Sequence, residues 1–213
     1  MEPVQRWSAE WVDSGDAYRI AEPDEEALLA AAPLLSAWYN EPQNRALLTN
    51  EHELSPEDVI AHYAAMRAAG DRPFLFTKDA ALVGDGDLRG LAAYEAGPEA
   101  EYALLIGEHG TKGRGLGTRF SLLVLHLAFG PLGRSRVFAS VIPKNKGSLR
   151  MFEKLGFDVD GTPAGRRYAE HEHDVCLRLE AGEFARLHGA QTASIRVAGL
   201  ERGKIKVEQG QVR

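Results

Sequence analysis

A short glycine-rich segment constrains this chain more than any other feature of its 213 residues. Residues 112–118 read Lys-Gly-Arg-Gly-Leu-Gly-Thr, between an apolar run at 102–106 and a stretch whose apolar residues recur at helical spacing. Glycines let a backbone approach a ligand closely, and free N–H groups at the start of a helix bind anions. We therefore expect a strand–loop–helix unit that holds a phosphate or pyrophosphate, with added charge from Lys112, Arg114 and Arg119.

Two common nucleotide loops do not fit this segment. A Walker loop requires Gly-Lys-Ser/Thr after its second glycine, and that sequence is absent. A dinucleotide loop requires G-x-G-x-x-G with an acid about 20 residues later, whereas this loop is G-x-G-x-G and residues 135–142 contain no acid. Taken alone, the segment also fits a glycine-rich turn that only begins a helix.

A second motif follows about 30 residues later. Residues 141–157 read Val-Ile-Pro-Lys-Asn-Lys-Gly-Ser-Leu-Arg-Met-Phe-Glu-Lys-Leu-Gly-Phe. The loop resembles the Q/R-x-x-G-x-G/A loop of the Gcn5-related N-acetyltransferases (GNAT), and the second motif resembles N-x-x-S…E-K-L-G-F of their RimJ/RimL-type branch. Lys112 stands where the family usually has Gln or Arg, and it retains the positive charge.

The resemblance implies an α/β (α+β) fold, the GNAT fold, in which helices flank a central mixed, splayed β-sheet. Alternating strand and helix patterns agree with this class. We expect strands at 74–77, 88–94, 102–106, 137–142 and 175–179, helices starting near 23 and 55 and occupying about 115–130 and 145–155, and a turn at 84–86.

Three segments are expected along the chain. Residues 1–17 would be an N-terminal extension, 18–182 the GNAT domain and 183–213 a C-terminal tail. In the tail, 195–197 and 204–207 alternate around Gly203 like a small hairpin. The tail would dock on the domain, dock on a second copy in a homodimer, or be frayed, and the sequence leaves these three open.

The resemblance also implies that acetyl-CoA is the co-substrate. The loop would cradle its pyrophosphate, backbone amides around Leu105 and Ile106 would bind the pantetheine and polarise the thioester carbonyl, and Asn145 would contact the pantetheine arm. The residues expected to bind acetyl-CoA are Leu105, Ile106, Lys112, Gly113, Arg114, Gly115, Leu116, Gly117, Thr118, Asn145 and Ser148.

Catalysis in this family requires that a thiolate be stabilised as it leaves. Many relatives use a tyrosine for this, but Phe152 stands at that position and has no proton to give, so we interpret it as a core residue. The resemblance makes Ser148 the candidate to stabilise the thiolate, although a capping or surface serine is the alternative. A non-catalytic acyl-CoA-binding regulatory module therefore stays open.

The acceptor must be a neutral amine when it attacks. Glu101, at the start of the splayed strand, is the first candidate for the base. Glu95, Glu108 and His109 are further candidates, and a water chain without a single base is the alternative. The branch resemblance favours a protein or peptide N-terminal α-amine, which ionises at lower pH than lysine. A polyamine, an aminoglycoside or an amino acid remains an alternative, and residues 38–45 would help to shape the acceptor site.

Composition excludes several other classes of protein. The chain has 25 Lys and Arg against 31 Asp and Glu, a net charge of −6 that argues against nucleic-acid binding. Cys176 is the one cysteine, so an internal disulfide cannot form. We expect no metal site, because residues 171–174 (His-Glu-His-Asp) lack a third partner and 85–87 are too short for a calcium loop. Without a signal-peptide pattern or a membrane-spanning apolar run, we expect a cytoplasmic protein with no membrane contact.

Overall fold

The computed structural model describes residues 5–48, 52–91, 98–107, 113–169 and 171–200. In these ranges nine strands form one sheet in the order β7-β8-β6-β5-β4-β3-β2-β1-β9. The elements are β1 Arg6–Asp13, β2 Asp16–Ala21, α1 Glu25–Asn40, α2 Pro42–Arg45, α3 Pro56–Ala68, β3 Arg72–Lys78, β4 Ala81–Arg89, β5 Glu99–Ile106, α4 Leu116–Phe129, β6 Arg136–Val141, α5 Lys146–Lys154, β7 Asp158–Val159, α6 Pro163–Arg166, β8 Val175–Glu180, α7 Ala181–Thr192 and β9 Arg196–Leu200.

The sheet is mixed, which confirms the expected fold class. Strands β5 and β6 are parallel, and the other pairs in the described chain are antiparallel. The parallel pairing covers only Glu99–Glu101 against Arg136–Phe138. Beyond these residues the two strands no longer pair, although both continue for several residues. The sheet is therefore splayed, with a notch between the carboxyl halves of β5 and β6.

Local signals set the helix starts as expected. Asp24 caps α1 by accepting a hydrogen bond from the Ala27 amide, and Ser55 and Asp58 form a reciprocal capping box at α3. Helix α1 continues through Pro33 to Asn40. The cap satisfies backbone donors that a helix leaves free at its first turn.

Two apolar clusters hold helices on the sheet. One cluster includes α4, where the Phe120 ring stacks on Phe76 of β3 with ring centres 4.8 Å apart. The other lies under α1 and α3 and includes Leu35, Val59 and Tyr63. The sheet thus carries α4 on one face and the α1–α3 pair on the other, and both helical layers reach the notch.

The predicted turn at 84–86 is wrong, because these residues lie inside strand β4. An added Cβ at Gly84 would lie 2.2 Å from the Leu105 carbonyl oxygen of β5. Glycine at this position lets the backbones of β4 and β5 approach closely, and glycine occurs in strands for this reason as well as in turns. The Gly-Asp-Gly sequence is typical of a turn, but its glycines serve strand packing here.

We expect Gly84→Ala to lower the free energy of unfolding by about 1–3 kcal/mol, because the new methyl group meets backbone that cannot rotate away. Urea unfolding measures the change. Gly189→Ala in α7 is the matched control, since nothing lies within 4 Å of its Cβ position and alanine is the better helix former. A stability loss no larger in Gly84→Ala than in Gly189→Ala would contradict the close approach of β4 and β5.

Both chain ends contribute to the sheet. Strand β1 lies within residues 1–17 and pairs with β2. Strand β9 pairs with β1, with Arg6 opposite Leu200, and helix α7 precedes it. Residues 204–207, the second half of the predicted hairpin, lie outside the described residues. Among the described helices, none combines the length and apolar character that crossing a bilayer requires.

Candidate active site

A cavity of about 940 Å³ opens at the notch between β5 and β6. Three walls enclose it: the carboxyl half of β5 with the start of α4, the end of β6 with the start of α5, and the α1–α3 layer. The third wall contributes Tyr39, Asn44, Leu47, Leu48, Leu54, Val59 and His62.

The glycine-rich loop forms the end of the cavity where α4 begins. Gly113 and Gly115 have φ angles of 82° and 80°, the left-handed region that favours glycine. Gly115 caps α4, and its carbonyl accepts the Arg119 amide at 3.1 Å. The earlier amides of the first turn, at 116–118, have no partner within a helix and point out of its positive end. This arrangement fits the pyrophosphate of acetyl-CoA, and Gly113, Gly115, Leu116, Gly117 and Thr118 all line the cavity.

The charges expected at this loop are placed differently. Arg119 lies at the start of α4, where its guanidinium pairs with Asp13 at 2.7 Å and lies over the Tyr18 ring. Its positive charge is thus beside the loop, although it also braces α4 against the first hairpin. Arg114 is exposed, and its carbonyl accepts a hydrogen bond from Arg119. Lys112 lies outside the described residues. Four cations that sequence reasoning did not assign line the cavity from the opposite wall, namely Lys144, Lys146, Arg150 and Lys154.

Helix α5 brings Asn145 and Ser148 to the wall opposite the loop. The Asn145 Oδ1 atom accepts the Ser148 amide at 3.1 Å and caps the helix. This bond uses only the backbone of Ser148, and the half-buried residue lines the cavity. Gly117 lets α4 and α5 approach, since a Cβ there would lie 2.8 Å from the Met151 sulfur.

The register of β5 determines which amides face the notch. The Gly107 amide donates to the Val83 carbonyl of β4 at 3.0 Å. Hydrogen-bonded pairs alternate along an antiparallel ladder, so the Leu105 amide also points toward β4. The Ile106 and Leu104 amides then point toward β6 and the open notch. Of the two amides predicted to contact the thioester, the register favours Ile106.

Phe152 lies in the core, as expected. It is 3% exposed, and its ring meets the edges of Tyr102 and Phe157. The Tyr102 hydroxyl lies 3.1 Å from the Ser121 hydroxyl, which donates to the Gly117 carbonyl. Burial raises the pKa of Tyr102, so its hydroxyl stays neutral. The aromatic groups on this wall therefore support α4 and α5 from beneath.

A buried carboxylate lies on the α1–α3 side of the notch. Asp85 is opposite Leu105 in the β4–β5 register, and its Oδ2 atom accepts from the Tyr39 and Tyr63 hydroxyls at 2.6 and 2.7 Å. Burial raises the pKa of Asp85 to about 6, against the two tyrosine hydrogen bonds, which lower it. Sequence reasoning missed this group because it placed Asp85 in a turn.

The neighbouring acids are occupied by other partners. Arg89 binds Asp87 through both carboxylate oxygens, at 2.6 and 3.1 Å. Glu101 is opposite Arg89 in the register and lines the cavity, as its predicted role requires. The other predicted bases, Glu95, Glu108 and His109, lie outside the described residues.

Asp174 lines the cavity from the far side, next to the end of β6. It accepts from the Ser140 hydroxyl at 3.2 Å and from the His171 amide at 3.0 Å. Within the described ranges, no three His, Cys, Asp or Glu side chains are grouped to hold a metal ion. The 171–174 segment thus closes a turn beside the cavity.

Comparison with known proteins decides the family. Residues 22–158 match the family described as the acetyltransferase (GNAT) domain, and this match covers both motifs. The chain belongs to the GNAT family. The match begins at the end of β2 and ends in β7, so it contains the notch, the glycine loop and α5.

Individual relatives of this GNAT domain differ in what they act on. Human alpha/beta-tubulin-N-acetyltransferase 9 is 34% identical over 107 residues, which are 50% of this chain and 48% of that protein. The chain therefore spans about half the length of this curated relative. Mycobacterium smegmatis RimJ in complex with CoA-disulfide has a TM-score of 0.66 at 17% identity, covering 84% of this chain and 91% of that one. An aminoglycoside acetyltransferase in complex with coenzyme A has a TM-score of 0.62 at 18% identity, covering 74% and 94%. The two structures share the fold.

Proposed function

We propose that this GNAT domain is an acetyl-CoA-dependent N-acetyltransferase that transfers acetyl to a primary amine by direct attack in a ternary complex. The observation that carries the proposal is the cavity at the notch, because it joins an anion-binding helix start to a second region, lined by the α1–α3 layer and Glu101, that could hold the acceptor. A ternary complex needs both halves open to one space, because the amine nitrogen must reach the thioester carbon directly.

The cofactor half of the cavity supplies contacts for each part of acetyl-CoA. The amides at 116–118 bind the pyrophosphate, and Lys144, Lys146 and Arg150 add positive charge around it. The pantetheine lies along the notch, where Asn145 contacts it. The Ile106 amide donates to the thioester oxygen, which becomes more negative as the amine attacks.

The acceptor is a protein or peptide α-amine. The acceptor side has an apolar wall, formed by Leu47, Leu48, Leu54 and Val59, that suits a side chain next to the reacting amine. An α-amine ionises near pH 8 and so needs less help from a base than lysine does. A second candidate is a small polyamine or aminoglycoside, because two acids, Glu101 and Asp174, line the same cavity and suit a polycation.

Calorimetry with acetyl-CoA, followed by measurement of CoA release with a peptide library and with small amines, tests the proposal. Micromolar binding with transfer to peptides is the expected result. Transfer to small amines alone would select the second candidate. Binding without transfer to any amine would favour the non-catalytic acyl-CoA-binding module that Phe152 leaves open.

We expect Ser148→Ala to lower kcat by about 10-fold to 100-fold while the KM for acetyl-CoA changes little, because the hydroxyl that faces the leaving sulfur is lost. The cap of α5 persists, since it uses the Ser148 backbone. Steady-state kinetics measure the effect, with Ser135→Ala at the other end of β6 as the control. Equal rates for both variants would make Ser148 a structural residue only.

A further inference from the structure

Asp85, Tyr39 and Tyr63 form a buried hydrogen-bonded group on the α1–α3 side of the sheet. Asp85 is 3% exposed, in a sheet face that α1 and α3 cover largely with apolar side chains and that also carries the buried Asp87. Its Oδ2 atom accepts both tyrosine hydroxyls, while among the described residues its buried Oδ1 atom has no hydrogen-bond partner. An ionised carboxylate in such a place is costly unless it is fully paired. A buried carboxylate that accepts two tyrosine hydroxyls beside a cavity is placed for a role in chemistry.

Both tyrosines bind Asp85 in the same way, but of the two only Tyr39 lines the cavity. Both donate to Oδ2, at 2.6 Å for Tyr39 and 2.7 Å for Tyr63. Tyr39 is half-buried and lines the cavity, whereas Tyr63 is enclosed in the core under α3. Asp85 and Tyr63 do not line the cavity, so Tyr39 is the member of this group that adjoins the acceptor space.

We propose that Tyr39 and Asp85 form a proton relay that deprotonates the acceptor amine. The inference rests on the proposed function and identifies the base of that same site. Asp85 lies opposite Leu105 in the register, one residue from Ile106, whose amide faces the notch. The relay therefore ends beside the strand along which the thioester would bind.

The bound ammonium gives one proton to the Tyr39 oxygen while the Tyr39 hydroxyl proton passes to Asp85 Oδ2, which becomes neutral. The amine nitrogen then bonds to the thioester carbon, the carbon–sulfur bond breaks, and a second proton moves from nitrogen to the leaving sulfur. The products are the amide, the free thiol and a protonated Asp85, which returns its proton to solvent through the same tyrosine.

Charged groups around Asp85 tune this carboxylate for proton transfer. Burial, with a smaller contribution from Asp87, raises its pKa to about 6, and the tyrosine hydrogen bonds and Arg89 oppose the rise. The group is therefore ionised at neutral pH but close enough to accept a proton. Burial raises the pKa of both tyrosines well above the usual value, so they remain neutral donors. His62, the residue before Tyr63 in α3, lies near Asp87 and Arg89, and burial lowers its pKa.

The competing bases are worse placed or differently occupied. Asp87 is bound at both oxygens by Arg89, so accepting a proton would break that pair. Glu101 is the third residue of β5 and the last in its parallel pairing with β6, four residues before Leu105. At a rise of about 3.3 Å per residue, this places Glu101 on the order of 13 Å along the strand from Leu105.

Three conservative variants test the relay. Asp85→Asn and Tyr39→Phe break it, whereas Tyr63→Phe removes an equivalent hydrogen bond to Asp85 without touching the path to the cavity. We expect kcat to fall by about 100-fold or more in Asp85→Asn and about 10-fold or more in Tyr39→Phe. Tyr63→Phe should stay within about 3-fold, and acetyl-CoA affinity should be unchanged in all three.

The pH profile separates a relay from a structural role. The wild-type rate should fall as pH drops through about 6, where Asp85 takes up a proton, and Asp85→Asn should lack this limb. Tyr63→Phe should move the limb to higher pH, because it removes a bond that lowers the pKa of Asp85. An unchanged limb in Asp85→Asn, or equal losses in Tyr39→Phe and Tyr63→Phe, would overturn the relay while transfer by the wild type persists. No transfer by the wild type to any amine would overturn the proposed function and the relay together.

Discussion

Combining Gly115→Asp with Gly117→Asp should raise the Kd for acetyl-CoA by at least about 100-fold. Both new carboxylates lie at the start of α4, where the pyrophosphate would bind. Two unit charges 4 Å apart repel by about 4 kcal/mol at an effective dielectric constant of 20, and a 100-fold change needs only about 2.7 kcal/mol. Position 115 also has a φ of 80°, and a Cβ at 117 would press on the Met151 sulfur.

Calorimetry with acetyl-CoA measures the loss, and thermal unfolding shows whether the variant is folded. Gly133→Asp is the matched control, because Gly133 has a φ of 61°, open space around its Cβ position and a place beyond the other end of α4. It imposes the same kind of backbone strain and adds one carboxylate, against two in the double variant, far from the cavity. A folded double variant with wild-type affinity would place the phosphates elsewhere, most simply on Lys144 and Lys146.

The conformation of the glycine loop and the cap of α5 could be predicted from sequence because their signals are local. The loop at 112–118 sets its own backbone through glycine and leads into a helix whose period is visible in the sequence. Asn145 and Ser148 lie three residues apart, the spacing of a cap and its amide. Each feature involves residues within one turn or one loop, so no knowledge of the tertiary fold is needed.

The acceptor half could not be predicted in the same way. Tyr39, Tyr63 and Asp85 come from three elements, with 46 and 22 residues separating the tyrosines from the aspartate. Spacing in the sequence carries no signal for such a contact. The Gly-Asp-Gly pattern around Asp85 is also typical of a turn, and only the close approach of β5 shows that these glycines belong to a strand.

The pairing of the edge strand β9 could not be predicted from sequence either. Strand β9 forms by pairing with β1, which begins almost 190 residues earlier. The alternation at 195–197 indicated a strand, but a hairpin with 204–207 was the nearest local partner that the sequence offered. Strand pairing is decided by tertiary contacts, which override local pattern. The arrangement of the ends therefore had to come from the structure.

The free energy of unfolding should fall by roughly 3 kcal/mol between about pH 4 and pH 6 on account of Asp85 alone. Burial raises its pKa from 3.8 to about 6, and each unit corresponds to 1.36 kcal/mol. In this window the folded state holds a proton that the unfolded state has released, so stability falls as pH rises. The stabilisation is complete below the unfolded pKa and is lost above the folded one.

Denaturant unfolding of the wild type and Asp85→Asn across this range isolates the effect, because the asparagine variant lacks only this titration. The difference between the two profiles should change with pH and level off above about pH 6. In Tyr63→Phe the fall in stability should extend to higher pH. The Tyr63 hydrogen bond lowers the pKa of Asp85, so its loss raises that pKa. A difference that is flat with pH would mean that Asp85 titrates alike in both states. In that case Asp85 would lack the raised pKa that the relay requires. If the difference in unfolding free energy changes with pH, the protein keeps an ionised carboxylate at neutral pH at the expense of stability.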